Sequence, residues 1–122
     1  MIQTYFRIKE CYTKIPNNIL RVIYRTPFNG TEIRVVLAII RMTLGWNKVS
    51  KPISYSYLAK EANLDMRNVK RTVKLLVQVK VIIKNREGRK NVLGINQNYI
   101  YWELWKTQNM KGTKLPLSKG VS

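Results

Sequence analysis

Four cations on one short segment carry the first chemical signal. Arg67, Lys70, Arg71 and Lys74 fall at i, i+3, i+4 and i+7, with Asn68 beside them. On a helix that spacing places the cations on one stripe. Like charges so placed repel, at about 0.2–0.5 kcal/mol per pair. A helix serving structure alone interleaves acids at such positions. A stripe left wholly basic makes sense if nucleic-acid phosphates supply the missing charge. Arg and Asn are also the side chains that match guanine and adenine edges in the major groove. The competing reading is a solvated face in a protein that is basic throughout.

A second basic group lies just downstream. Arg86, Arg89 and Lys90, with Glu87 and Gly88 among them, separate two strand-like runs, and Lys84 ends in the first of these. Gly88 suits a hairpin loop. A hairpin directly after a recognition helix is a wing, and a basic tip there suits backbone phosphates or a minor groove. Between Lys60 and Lys90 lie ten Lys/Arg and three acids, a net +7 in 31 residues. Ser54 and Tyr55, at the start of the helix before the turn, complete the candidate DNA contacts. The whole chain holds 23 Lys+Arg against 6 Asp+Glu, a net +17 and a pI near 10.4. A field of that size attracts polyanions, and charge alone admits DNA, RNA or an anionic membrane.

The residues that are missing narrow the chemistry. There is no His, which removes Ser-His-Asp and Cys-His nucleophile systems and the commonest metal ligand. Cys11 stands alone and cannot build a structural zinc site or an internal disulfide, which fits a reducing cytoplasm. The acids Glu10, Glu32, Glu61, Asp65, Glu87 and Glu103 are scattered. Two-metal chemistry needs several converging carboxylates. Glu61 and Asp65 read better as a helix surface charge and a helix N-cap. No phosphate-cradling glycine loop occurs. The expectation is a protein that is not an enzyme and takes no cofactor and no metal.

These residues need elements to hold them. Ile15-Pro16-Asn17 reads as a helix entrance with Asn17 as cap, the helix running to about Arg25 and burying Ile19, Leu20, Val22 and Ile23. Thr26 to Gly30 is turn chemistry. Thr31 is expected to cap a second helix to Leu44, apolar on most sides and therefore central, with Gly45 stopping it. Trp46 to Pro52 reads as a polar loop, and Ile53 as a short strand. Ser54 caps a third helix, Tyr55 to Ala62. After a tight turn at Asn63-Leu64, Asp65 caps a fourth, Met66 to about Gln78, whose inner stripe is Met66, Val69, Val73, Leu76 and Val77. Two helices so closely spaced form a helix-turn-helix. Strands are expected at Val81–Asn85 and Asn91–Ile95. The fold class is mainly α with a small β-hairpin, a winged helix-turn-helix.

Length sets one domain. Residues 1–14 suit a short strand or an N-terminal arm, 15–105 the winged-helix domain and 106–122 a flexible tail or linker. Tyr99, Tyr101, Trp102, Leu104 and Trp105 form an aromatic cluster whose expected role is to close the core, with base stacking as the alternative. The longest apolar run, Val35 to Ile40, is six residues, where a membrane span needs roughly 20. No secretory signal is visible, and no membrane partner is expected.

Several segments resemble the N-terminal DNA-binding domain of the phage replication protein O family. They are Thr13 to Leu20 with its Ile-Pro-Asn, Glu32 to Val36, and Leu37 to Lys48 with its Gly-Trp-Asn-Lys. Ile53-Ser54 with Leu58-Ala59, Arg67-Asn68-Val69 with Arg71, and Leu93 to Asn96 follow. The resemblance covers roughly residues 12–102. It implies a winged helix with its recognition helix at Asp65 to Gln78. It also implies binding to repeated origin sites on double-stranded DNA, often as a homodimer, in the cytoplasm and nucleoid of a bacterial host. The family carries a further C-terminal region that engages the replicative helicase or its loader. This sequence ends at Ser122, so it is expected to be a piece of a longer chain or a stand-alone domain. The leading expectation is sequence-specific duplex DNA binding as an initiator domain at a phage-type origin. The alternatives are a winged-helix transcriptional regulator and a phage-borne inhibitor or protein-interaction module using the basic face.

Overall fold

Pro16 opens the first helix of the computed structural model, which describes residues 12–102. Helix α1 spans Asn17–Arg25 and buries Ile19, Val22 and Ile23. Two details differ from expectation. Pro16, not Asn17, holds the N-cap position, with no side-chain cap. Leu20 is exposed, as is Tyr24 one turn further on, because both lie on the flank of the buried stripe. Pro27 ends the helix by driving Thr26 into an extended conformation (ψ 128).

Helix α2, Gly30–Thr43, is capped by Asn29, two residues before the expected cap Thr31. Asn29 Oδ1 accepts from the Glu32 N–H (2.8 Å), and Glu32 Oε1 accepts from the Asn29 N–H (3.0 Å). The reciprocal bond needs a three-residue separation, which Asn29 has from Glu32 and Thr31 lacks. Val35, Val36, Ile39, Ile40 and Met42 are buried, as a central helix requires. After a tight 3₁₀ turn at Leu44–Trp46, the left-handed residue that ends the turn is Asn47 (φ 58), not Gly45.

The segment read as a loop contains strand β1, Ser50–Pro52. It follows that Ile53 lies just past the strand, buried, its N–H donating to the Asn91 carbonyl (3.0 Å). Helix α3, Tyr55–Ala62, starts as expected: Ser54 Oγ accepts from the Tyr57 N–H (3.1 Å). Asn63 (φ 57) makes the turn. Helix α4, Met66–Gln78, is capped by Asp65, whose Oδ1 accepts from the Asn68 N–H (2.7 Å). Its inner stripe is Val69, Thr72, Val73 and Leu76; Met66 is exposed and Val77 half-buried.

Strands β2, Ile82–Glu87, and β3, Lys90–Ile95, pair antiparallel out to Glu87 opposite Lys90. The hairpin is therefore longer than expected, and Arg86 and Lys90 are strand residues. Only Gly88 and Arg89 turn the chain, with Gly88 at φ 62, a conformation hairpin turns often require and glycine adopts without strain. Strand β1 pairs with the other side of β3, Ser50 opposite Gly94 and Pro52 opposite Val92. The result is a three-stranded sheet of order β1-β3-β2, with Pro52 on an edge where its missing N–H is tolerated. The molecule is mainly helical with a small antiparallel sheet, and α3, α4 and the hairpin follow in winged-helix order.

One core joins all of it. Val35, Val36 and Ile39 of α2 share a buried cluster with Leu58 of α3, Val69, Val73 and Leu76 of α4, Ile82 and Leu93 of the sheet, and Trp102. Trp102 is fully buried and its Nε1 donates to the Asn96 carbonyl (2.7 Å). Asn96 in turn donates from Nδ2 to the Lys80 carbonyl (2.9 Å). The aromatic cluster closes the core through Trp102, while Tyr99 is half-buried and Tyr101 exposed. Leu104 and Trp105 lie outside the described residues, as do Cys11, most of the expected arm and the whole expected tail.

Gly94 marks the closest approach in the sheet. A Cβ there would collide with the Val49 carbonyl oxygen and lie 3.0 Å from Ser50 Cβ. Gly94→Ala is expected to push β1 off β3 and cost about 1–3 kcal/mol. Urea unfolding measures this, and unchanged stability would contradict the close packing. Among the described residues no helix is long and apolar enough to cross a membrane.

Candidate nucleic-acid interface

The buried stripe of α4 fixes where its cations go. With Val69, Val73 and Leu76 turned into the core, Arg67, Lys70, Arg71 and Lys74 all stand exposed on the outside of the same helix. The structure therefore brings together all four cations as the spacing required. Their charges are not balanced locally. Glu32 is buried in the α2 cap, Asp65 caps α4, and Glu61 lies 3.7 Å from Arg41. That is the single ion pair among the described residues, and it involves no stripe cation. An α-helix fits the B-DNA major groove, about 12 Å wide, so such a face can meet both phosphates and base edges.

Asn68 differs from its neighbours. It is half-buried, its Nδ2 donates to Asp65 Oδ2 (3.3 Å), and its Oδ1 accepts a hydrogen bond from Arg71 Nη2. Spacing could not reveal this, because it depends on side-chain conformations along the helix.

The hairpin carries the second basic group. Ile82 is buried, but Lys84, Asn85, Arg86 and Glu87 are all exposed. Successive strand residues face opposite sides, so consecutive exposure means the hairpin projects clear of the body. Arg89 sits in its turn, Lys90 begins the returning strand, and both are exposed. At the hairpin's root, the Lys84 ammonium lies 5.6 Å from the centre of the Tyr55 ring. That contact joins β2 to the first residue of α3. Ser54, next to it, accepts from the Tyr57 N–H as the helix cap, and its hydroxyl lies 3.4 Å from that of Ser56, with which it shares a hydrogen bond. The sequence-expected sites at Ser54, Tyr55 and Lys84 thus form one neighbourhood.

Lys51 was not foreseen among these residues. It belongs to β1, on the same sheet as the wing, and its ammonium lies 4.5 Å from the Trp46 ring centre. Trp46 itself is 65% exposed. The only sequence signal is the Gly-Trp-Asn-Lys segment, whose Trp46 begins the stretch read as a polar loop.

Comparison with known proteins adds an independent line. The family described as Bacteriophage replication protein O matches residues 6–102. Replication protein 15 of Enterobacteria phage phi80 is 30% identical over 105 residues, covering 86% of this chain and 34% of that protein. The chain thus spans about a third of that relative's length.

Proposed function

The chain belongs to the Bacteriophage replication protein O family, and from that premise we propose that it is a sequence-specific duplex DNA-binding domain acting at a phage-type replication origin. It catalyses no reaction itself. The observation that carries this reading is the unneutralised stripe of Arg67, Lys70, Arg71 and Lys74 on the outer face of α4, preceded by α3 and followed by a projecting basic hairpin.

In this reading α4 lies in the major groove. Arg67, Arg71 and Lys74 face base edges, and Lys70 holds a phosphate or a base edge. The wing residues Arg86, Arg89 and Lys90 hold backbone phosphates. Lys84, Ser54 and Tyr55 hold the phosphate that passes the start of α3. The non-catalytic part of the reading is supported by the acids among the described residues: Glu32 and Asp65 serve as caps, Glu61 pairs with Arg41, and Glu87 stands apart from them in the hairpin. Contact with the replicative helicase or its loader falls to a region beyond the matched third of the family relative. Pairing of two copies on repeated sites, within the host cytoplasm, completes the proposal.

Arg71→Ala tests it. The substitution is expected to cost about 1–3 kcal/mol on the preferred duplex and little on random DNA, measured by anisotropy titration. An equal loss on both would make Arg71 a phosphate contact and contradict base reading. The wing behaves differently. Arg89→Ala with Lys90→Ala is expected to weaken binding to all duplexes alike and to lower the salt slope by roughly 1 per residue. A loss confined to one sequence would contradict the assignment of the wing to backbone.

A further inference from the structure

Asn68 has the side chain of an adenine reader, yet both ends of its amide are engaged within the protein. A bidentate adenine contact requires Oδ1 to accept from N6 while Nδ2 donates to N7. Here Oδ1 accepts from Arg71 Nη2, and Nδ2 donates to Asp65 Oδ2 at 3.3 Å. We propose that Asn68 is a positioning residue: Asp65, Asn68 and Arg71 form a relay that presents the Arg71 guanidinium to a guanine, so this point of the site is read by Arg71 and not by Asn68. The inference rests on the duplex-binding reading above and deepens it.

The relay has a fixed anchor. Asp65 is held by its cap, where Oδ1 accepts from the Asn68 N–H at 2.7 Å. Its second oxygen orients the Asn68 amide, and the amide oxygen orients Arg71. A guanidinium has five N–H donors. Asn68 engages one N–H of Nη2 and leaves the second, which together with a neighbouring nitrogen's N–H forms a parallel pair for the O6 and N7 acceptors of guanine. Holding the long arginine chain before binding removes part of the ordering entropy that binding would otherwise cost. Among the described residues no other stripe cation has a side-chain hydrogen bond, so Arg67, Lys70 and Lys74 are not held in place before binding as Arg71 is. The relay therefore singles out Arg71 as the one base reader of the stripe that is oriented before binding.

Two substitutions separate the readings without removing the cap, which uses the backbone N–H of residue 68. Asn68→Ala breaks the relay. Asn68→Asp keeps the acceptor for Arg71 and gives up the bond to Asp65 together with the amide donor that adenine reading needs. The probes are the preferred duplex, the same duplex with 7-deazaguanine at the Arg71-dependent guanine, and versions with 7-deazaadenine at neighbouring adenines. Thermal unfolding checks that the variants fold. Asn68→Ala is expected to lower affinity roughly tenfold, the scale of one hydrogen bond to a charged group. It is also expected to shrink the 7-deazaguanine penalty, and Asn68→Asp is expected to retain that penalty. A 7-deazaadenine penalty that both variants abolish would overturn the proposal and make Asn68 a direct reader. A guanine penalty untouched by Asn68→Ala would overturn it too. If no duplex is preferred at all, the parent reading fails first, and this one with it.

Discussion

Replacing Arg67, Lys70, Arg71 and Lys74 together by alanine is expected to weaken binding to the preferred duplex about 10³-fold or more, while leaving the protein at least as stable. The loss follows from removing four groups at about 1 kcal/mol or more each, with the arginines at the upper end. The slope of log K against log salt should fall by up to about 4. The stability result is as informative. These side chains are exposed, and among them only Arg71 has a side-chain hydrogen bond. Alanine is the better helix former, and removing like charges at i, i+3 and i+4 relieves repulsion. A face that costs stability and supplies affinity is a binding face. The control removes four exposed cations elsewhere, Arg21, Arg25, Arg34 and Lys48. Equal losses in the two variants would mean that net charge, not the α4 stripe, grips the polyanion.

The second large effect concerns the scaffold. Trp102→Ala is expected to cost about 3–5 kcal/mol. The ring is fully buried, its centre lies 6.3 Å from that of Phe28, and its Nε1 ties the end of the described chain to Asn96. Because domain stabilities are about 5–15 kcal/mol in total, the variant should be only marginally folded. Trp102→Phe separates the terms. It keeps most of the apolar volume and orphans the Asn96 carbonyl, at about 1–3 kcal/mol. Urea denaturation measures both. A Trp102→Ala variant as stable as the parent would contradict the placement of this tryptophan in the core, and with it the closing of the core by the aromatic segment.

The parts of the fold that were legible are those decided by neighbours in sequence. Ser54 and Asp65 announce α3 and α4 because a short polar side chain at N-cap bonds to an N–H three residues on. The basic and apolar stripes of α4 follow from helical period alone. Long-range pairing was not legible. Strand β1 has three residues, one of them a proline, and exists only because β3, some forty residues later, offers an edge. Its absence from the sequence reading also hid the meeting of Lys51 with Trp46. Asn29 displaced Thr31 as a cap because two capping candidates compete and only one has its partner at Glu32. At the candidate interface the residue types were legible, but the coupling of Asn68 to Asp65 and Arg71 was not, since it lives in side-chain conformation.

The most direct measurement is selection from a random duplex pool at roughly physiological salt, where phosphate binding without sequence preference is weakened, followed by sequencing of the retained DNA. The account predicts a recovered motif, repeated or palindromic, whose enrichment disappears when the α4 stripe is neutralised. No enrichment, with binding that vanishes as salt rises, would contradict it and leave the basic face as a general grip on polyanions.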